Sequence, residues 1–213
     1  MKLDKTSLLL YAVTDRMWLG SNSLMDQTEA AIKSGVTFVQ LREKNLDFES
    51  FLKQAKEIKT LTDAYNIPFV INDNVEIALA CDADGVHVGQ EDMEARDVRR
   101  LIGEEKILGI SVFTVEQAIL AEKNGADYLG VGAMFTTKTK SDADAVTFDT
   151  LREICAAVTI PVVAIGGINE KNISLLDGSG IVGVAVVSAI FAQPDIAGAT
   201  ARLRQLATIM VKA

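Results

Sequence analysis

The chain has 213 residues, of which 49% are hydrophobic and 23% charged, and this composition is typical of a globular protein rather than a disordered one. Its formal net charge is −8, and no Lys/Arg run exceeds the pair Arg99-Arg100, so we expect no nucleic-acid partner. No apolar run approaches the roughly 20 residues of a membrane helix, so we expect a cytoplasmic protein without a membrane partner.

Short runs rich in Val and Ile recur along the chain and alternate with amphipathic stretches. The runs are nearly continuous in hydrophobicity, as expected for parallel strands that are buried on both faces. The predicted strands cover residues 8–14, 37–42, 68–73, 85–89, 107–112, 128–134, 161–166 and 183–188.

Between these runs, apolar residues recur at three- and four-residue intervals, which predicts helices. The clearest helical patterns cover residues 48–65, 115–124 and 147–158. Thr114 and Asn169 have the side chains of helix N-caps, and Thr114 is followed by Gln117 at the capping-box spacing.

Eight strands that alternate with helices, at roughly 25 residues per unit, predict an α/β fold of the (β/α)₈ TIM-barrel type. An open doubly wound sheet is the alternative. No Pro/Gly/Ser-rich linker or low-complexity tract divides the sequence, so we predict a single TIM-barrel domain over residues 1–213.

The active site of such a barrel forms at the carboxyl ends of its strands. Polar residues gather there at nearly every predicted strand, although each one alone has a plain structural explanation as a strand end, a helix cap or a turn. Together they favour a binding site at one rim of the barrel.

Asp73 and Asp92 follow two neighbouring predicted strands, and their carboxylates are well placed to share one hard cation. Mg²⁺ is favoured, because it binds one or two carboxylates and completes its shell with water and phosphate oxygens. Arg42, Lys44 and Lys140 add positive charge for phosphate groups.

A second anion site is predicted after the seventh and eighth strands, where barrels commonly bind phosphate through backbone N–H groups. Gly166, Gly167, Val187 and Ser188 stand there. Two anion sites in one mouth, one of them with a metal, indicate two phosphorylated substrates.

The only histidine, His87, lies in the middle of a predicted strand and is interpreted as a packing residue, with a hydrogen-bond donor to a residue of the site as the alternative. We find no Ser–His or Cys–His pair for nucleophilic catalysis and no GxGxxG motif after a strand. The chemistry is therefore expected to depend on electrostatics, a metal and positioning.

Motifs spread over essentially the whole chain resemble the thiamine-phosphate synthase family. They lie at residues 10–16, 40–44, 72–73, 85–93, 137–140, 163–168 and 184–190. The ordered set Gln-x-Arg-x-Lys, Asn-Asp, Gly-Gln-Glu-Asp and Thr-x-Thr-Lys is the specific part of this resemblance.

The resemblance implies a transferase of thiamine biosynthesis. It would join 4-amino-5-hydroxymethyl-2-methylpyrimidine diphosphate to 4-methyl-5-(2-phosphoethyl)thiazole, in plain or carboxylated form, and release thiamine phosphate and diphosphate. The expected chemistry is a Mg²⁺-assisted, dissociative alkyl transfer.

The resemblance also implies roles for individual residues. Those expected to bind the pyrimidine diphosphate are Gln40, Leu41, Arg42, Glu43, Lys44, Asn72, Ser111 and Lys140. Those expected to be catalytic are Arg42, Lys44, Ser111 and Lys140. Those expected to bind the thiazole phosphate are Thr137, Lys138, Thr139, Gly167, Val187 and Ser188, with Asp73 and Asp92 as the Mg²⁺ ligands.

Two alternatives stay open. A related thiazole tautomerase is an isomerase that lacks the diphosphate-side residues, and a non-catalytic barrel would bind thiazole phosphate as a regulator. The long segment 135–146 also suggests a lid that closes over the reacting groups.

Overall fold

Eight parallel strands form a closed barrel in the computed structural model, which describes residues 3–136 and 146–212. Each strand pairs with the next one along the chain, and the eighth pairs with the first. The strands are β1 (Leu10–Val13), β2 (Phe38–Leu41), β3 (Phe69–Asn72), β4 (Gly85–Val88), β5 (Ile107–Val112), β6 (Tyr128–Val131), β7 (Val162–Ile165) and β8 (Gly183–Val186). The predicted TIM barrel is confirmed, and the open sheet is excluded.

Helices cover the outside of the barrel and alternate with the strands. In the described residues they are α1 (Leu24–Lys33), α2 (Phe48–Ala64), α3 (Val75–Ala80), α4 (Ala95–Ile102), α5 (Val115–Lys123), α6 (Phe148–Ala157), α7 (Ser188–Phe191) and α8 (Ile196–Lys212). Thr114 caps α5 as predicted, because its hydroxyl accepts the Gln117 N–H. None of the helices within the described ranges has the length and apolar character that crossing a membrane requires.

One predicted helix is absent between β7 and β8, where the described chain forms only a 3₁₀ turn at Ile173–Leu176. Asn169 is therefore not an α-helix N-cap, and that prediction is wrong. The Asn169 side chain instead accepts the Lys171 N–H, and the Asn172 side chain accepts the Asn169 N–H. Such local side-chain bonds compete with helical hydrogen bonding.

The strands are buried on both faces, and this separates the core into two layers. Inside the barrel lie the side chains of Leu8, Tyr11, Val13, Phe38, Val70, Ile107, Tyr128, Val163 and Ala185. The rings of Tyr11, Phe38 and Tyr128 contact one another with centroids 4.5 to 5.9 Å apart. The larger outer layer packs the strands against the helices and is mostly aliphatic.

The amino ends of β5 and β6 are held together by charged groups at the bottom of the barrel. Arg99 of α4 donates to the carbonyl oxygens of Gly103, Lys106 and Gly125 and to the Asp127 carboxylate, the last at 2.6 Å. Asp127 also accepts the Leu108 N–H near the start of β5. These bonds join the two connections that lead into β5 and β6.

Candidate active site

A cavity of about 760 Å³ opens at the carboxyl ends of the strands. The structure brings together there most of the site residues that the sequence predicts. Those that line the cavity are Gln40, Arg42, Lys44, Asn72, Asp73, Asp92, Ser111, Gly167, Val187 and Ser188. The predicted rim is therefore one continuous pocket.

The two predicted metal ligands meet at one wall of this pocket. Asp73 follows β3 with a φ of 62°, and its N–H donates to the His87 carbonyl of the neighbouring strand at 2.8 Å. The Asp92 carboxylate accepts the Gly89 N–H at 2.8 Å and contacts the Asp73 carboxyl group. Partial removal from water raises the pKa of Asp92, and the adjacent Asp73 charge raises it further.

Two donors balance part of this negative charge. Lys44 Nζ lies 2.7 Å from Asp73 Oδ2 and remains about half exposed, with 53% of its side chain accessible. The Asn72 amide nitrogen donates to the same carboxylate oxygen. Since Lys44 is a flexible side chain at an open rim, it can turn toward a phosphate group.

Arg42 stands beside this cluster at the end of β2. Its backbone N–H donates to the Thr14 hydroxyl at 3.1 Å, and its Nη1 lies 3.5 Å from Asp15 Oδ2. These two contacts place the guanidinium at the pocket wall, where a planar donor group can bind a phosphate through two hydrogen bonds.

The donor set fits a hard divalent cation. Asp73 and Asp92 present carboxylate oxygens in contact, and a cation between them would offset the repulsion that raises the Asp92 pKa. Among residues 3–136 and 146–212 there is no cluster of three or more His, Cys, Asp or Glu side chains that could hold a metal. The remaining ligands would have to be water and substrate oxygens, as is usual for Mg²⁺.

Two residues of the predicted pyrimidine site have side chains that point away from the pocket. Leu41 is fully buried in the outer layer, because strand side chains alternate and Gln40 takes the inner face. The Glu43 side chain, 3% exposed, pairs with Arg16 at 2.8 Å. Burial raises the pKa of Glu43 although Arg16 opposes this. These two side chains do not line the pocket, so they can affect it only through the backbone.

The predicted second anion site lies across the pocket, after β7 and β8. Gly166 and Gly167 adopt φ values of 96° and 68°, which favour glycine. A Cβ on Gly167 would lie 2.7 Å from the carbonyl oxygens of Phe135 and Thr136, so no larger residue fits there. The turn lies beside Val187 and Ser188 in the lining of the pocket.

Four predicted contact residues lie outside the described residues: Thr137, Lys138, Thr139 and Lys140. Most of the segment predicted as a lid lies there as well.

The structure favours the alternative interpretation of His87. Its side chain lies at the inner end of the pocket, is 8% exposed and bonds through its two ring nitrogens to Tyr128 and Ser111. The signal for this role is weak in sequence, since it consists only of a polar residue inside an apolar strand. The side chains of Gln90 and Gln117 also line the pocket, and the sequence does not predict them.

The fold and the pocket define a (β/α)₈-barrel enzyme whose active site lies at the strand ends. The family model described as thiamine monophosphate synthase matches residues 10–190. The chain therefore belongs to the thiamine monophosphate synthase family.

Similar proteins cover nearly the whole chain. A thiamine-phosphate synthase of Clostridium tetani is 53% identical over 88% of this chain and 90% of its own length. One from Ruminiclostridium cellulolyticum is 51% identical over 96% of both chains. The structure of a thiamine phosphate pyrophosphorylase from Pyrococcus furiosus superposes with a TM-score of 0.90 at 38% identity, covering 97% of this chain and 98% of that one.

Proposed function

We propose that this pocket joins a hydroxymethylpyrimidine diphosphate to a thiazole phosphate and releases thiamine phosphate and diphosphate. The chain is a transferase with the activity of its family, because relatives of about 50% identity over most of its length are thiamine-phosphate synthases. The observation that carries the assignment of the site is the contact between Asp73 and Asp92 beside Lys44, on the wall opposite Gly167.

The pyrimidine diphosphate occupies the side of the pocket formed by β2 to β5. Gln40 and Ser111 lie at the inner end and contact the pyrimidine, while Arg42, Lys44 and Asn72 contact the diphosphate. Lys140 belongs to the same set by resemblance. The backbone at Leu41 and Glu43 supports these contacts from the strand end.

The thiazole phosphate occupies the side formed by β6 to β8. Its phosphate group meets the backbone N–H groups at Gly167, Val187 and Ser188, together with the Ser188 hydroxyl. Thr137, Lys138 and Thr139 complete this side by resemblance. This arrangement puts the ring nitrogen of the thiazole between the two phosphate sites.

In the reaction, the bond between the pyrimidine methylene carbon and the diphosphate oxygen breaks, and the electron pair leaves with diphosphate. The thiazole ring nitrogen then donates its electron pair to that methylene carbon. Arg42 and Lys44 stabilise the charge on departing diphosphate, and Ser111 holds the pyrimidine in place. Mg²⁺ bound by Asp73 and Asp92 would supply further neutralisation of the leaving group.

The assay that tests this proposal measures thiamine phosphate formation from the two substrates with Mg²⁺ and then with excess EDTA. We expect turnover that EDTA abolishes and added Mg²⁺ restores. Turnover that is unaffected by EDTA would contradict the metal site. Thiazole phosphate binding without product would favour the isomerase or the regulator instead.

Three broader expectations from the sequence belong to the same proposal. Small phosphorylated molecules are the partners, with neither nucleic acid nor membrane involved. The protein works in the cytoplasm, and residues 1–213 form one domain.

A further inference from the structure

Five buried or half-buried polar side chains form a continuous row of hydrogen bonds inside the barrel. The Gln40 amide nitrogen donates to the Tyr11 hydroxyl, and the hydroxyl oxygens of Tyr11 and Tyr128 lie 2.8 Å apart. The Tyr128 oxygen lies 2.8 Å from His87 Nδ1, and His87 Nε2 lies 2.9 Å from Ser111 Oγ. We call this row the barrel relay.

The barrel relay takes its members from five strands and requires a gap in one of them. Gly109 of β5 pairs in register with His87 on one side and with Tyr128 on the other. A Cβ on Gly109 would lie 2.3 Å from the Tyr128 oxygen and 2.5 Å from His87 Nδ1. The missing side chain at Gly109 therefore leaves the space in which the Tyr128–His87 hydrogen bond forms.

Four members of the barrel relay line the inner end of the pocket, and all but Ser111 are buried. The lining includes Gln40, Tyr11, His87 and Ser111, whereas Tyr128 lies behind it and is 0% exposed. Buried polar groups must find partners, and the interior of such a barrel is normally filled with branched apolar side chains. Packing alone does not call for a row of polar groups at this position, and the row joins two groups on separate walls of the pocket.

The direction of the barrel relay follows from counting its protons. Buried hydroxyl protons need acceptors, and the row itself supplies them. Since Tyr11 accepts from Gln40, donating every proton along the row requires Tyr11 to donate to Tyr128 and Tyr128 to donate to His87 Nδ1. His87 then carries its proton on Nε2 and donates it to Ser111 Oγ. Burial raises the pKa of both phenols, so each keeps the proton that this count requires.

We propose that Tyr11, Tyr128 and His87 are positioning residues that hold Ser111 as a hydrogen-bond donor toward the pyrimidine substrate. The Ser111 oxygen accepts from His87, so its own proton is left for an acceptor atom in the pocket. In the opposite direction Ser111 would donate to His87 and offer the substrate only an acceptor. The identity of the ligand at Ser111 rests on the proposed function, whereas the direction of the barrel relay does not.

Ser111 is expected to discriminate between ligands because a hydrogen-bond donor without an acceptor costs free energy. A donor facing a substrate donor leaves a buried polar group unpaired and weakens binding of that ligand. At Ser111 the barrel relay therefore selects a ligand with an acceptor atom, such as a ring nitrogen or a phosphate oxygen. At the other end, the Gln40 carbonyl oxygen remains an acceptor, because the amide nitrogen is used by Tyr11.

The first test uses the fact that the chain has a single histidine. ¹⁵N-histidine NMR of the whole protein, at a pH about two units above the usual His pKa of about 6.5, reports the tautomer of His87 alone. We expect a protonated Nε2 and an unprotonated Nδ1. A protonated Nδ1 would overturn the proposal, whatever the activity of the protein.

The second test breaks the barrel relay with Tyr128→Phe and, in a separate variant, Tyr11→Phe. Tyr128→Phe removes the donor to Nδ1, so we expect the second His87 tautomer to appear in the NMR spectrum. The matched control is Tyr65→Phe, which removes a hydroxyl that donates to Glu29 on the protein surface. A Tyr128→Phe spectrum with the wild-type tautomer alone would overturn the proposal.

Steady-state kinetics distinguish a positioning role of Tyr11 and Tyr128 from a packing role. Tyr128→Phe and Tyr11→Phe should each lower kcat/KM for the pyrimidine diphosphate about tenfold, with the KM for thiazole phosphate unchanged. Tyr65→Phe should change neither. An equal rise in the KM values of both substrates, or no change in the kinetics of either variant, would contradict the positioning role. If the wild-type protein showed no turnover, the proposed function would be wrong. The NMR experiment would still decide the direction of the barrel relay.

Discussion

At the scale of single residues, the contact between two carboxylates is the feature that most needs a functional explanation. Asp73 and Asp92 repel each other when both are charged, and the nearby Lys44 charge and the Gly89 N–H offset this only in part, since the pKa of Asp92 is still raised. A protein selected for stability alone would gain by replacing one of the carboxylates with a neutral residue. Their contact is consistent with the proposed cation site, where the same repulsion becomes metal affinity.

Asp92→Ala should abolish turnover and leave thiazole phosphate binding within about twofold of wild type, since the two anions use different strand ends. Turnover is measured as thiamine phosphate formed, and binding by calorimetry. Asp97→Ala is the matched control, because Asp97 is a surface residue of α4 that pairs with Arg100. Normal turnover of Asp92→Ala at limiting Mg²⁺ would rule out the metal assignment.

Gly167→Ala should raise the KM for thiazole phosphate by tenfold or more, where tenfold corresponds to about 1.4 kcal/mol. The added Cβ would meet the Phe135 and Thr136 carbonyl oxygens at 2.7 Å and displace the turn. Gly178→Ala is the matched control, since Gly178 has a similar φ of 71° but no heavy atom within 4 Å of the position that a Cβ would take.

Both glycine variants carry the backbone strain of a positive φ, about 1–2 kcal/mol, and should lose a similar amount of stability for that reason. Only Gly167→Ala adds a steric clash at the pocket. If Gly178→Ala raised the thiazole phosphate KM as much, the effect would be due to general strain, and the phosphate assignment at Gly167 would be wrong.

At the scale of elements, the turn between α6 and β7 depends on a carboxylate from α5. Glu122 accepts hydrogen bonds from the Thr159 hydroxyl, the Thr159 N–H and the Ile160 N–H at 2.6 to 3.2 Å. The hydroxyl bond is the largest cause of a lowered pKa at Glu122. The folded state therefore binds this proton less tightly than the unfolded chain does.

A lowered folded-state pKa gives stability that is present above the unfolded value of about 4.3 and is lost as the pH falls through the folded value. Glu122→Gln should therefore lower Tm at neutral pH, and the gap to wild type should shrink below about pH 4. Thermal unfolding across this pH range is the measurement. Glu153→Gln on the exposed face of α6 is the control, and a gap independent of pH would contradict the charge-based account.

The sequence predicts a strand or helix well when the residues that cause it lie within that element. The strands follow from Val- and Ile-rich runs, and all eight are present, although most are shorter by a few residues than the runs that predict them. The predicted strand 128–134 ends at Val131 in the structure. Just beyond it, a Cβ on Gly132 would lie 2.0 Å from the Ile165 carbonyl oxygen of β7, so only glycine fits there. That approach is a tertiary contact and leaves no periodic signal.

The site residues likewise fall into those that the sequence locates and those that it does not. Asp73, Asp92, Lys44 and Gly167 stand shortly after their strands, so the barrel rule and the family resemblance both locate them. The partners of His87 come from β5 and β6, and no spacing in the sequence brings them together. Contacts within one strand end are predictable from sequence, and contacts across the barrel interior are not.

At the scale of the whole molecule, one end of the barrel carries the pocket and the other end contributes to stability. Charged side chains at the top lie around the pocket and are only partly paired. At the bottom, the Arg99 guanidinium bonds two connections at once. We therefore expect stability and activity to be separable by position.

Arg99→Met keeps much of the aliphatic volume and removes all of these hydrogen bonds. It should destabilise the fold by about 2–4 kcal/mol, because carbonyl groups and Asp127 lose their donor. Activity well below Tm should stay within about twofold of wild type. Arg100→Met, next in the chain and exposed, is the control, and loss of kcat in Arg99→Met at full folding would contradict the separation.

The pairing of β1 with β8 has a consequence for how fast the protein can fold. This pairing, the closing seam of the barrel, joins Leu10 to Val184, so the barrel closes only when two distant parts of the chain have met. Contacts of such long range carry a large loop-closure entropy and slow folding. The seam also needs Gly183, whose Cβ would lie 2.1 Å from the Leu8 carbonyl oxygen. Until it closes, β1 and β8 are open edges, so the time before closure is when the chain is most exposed to aggregation.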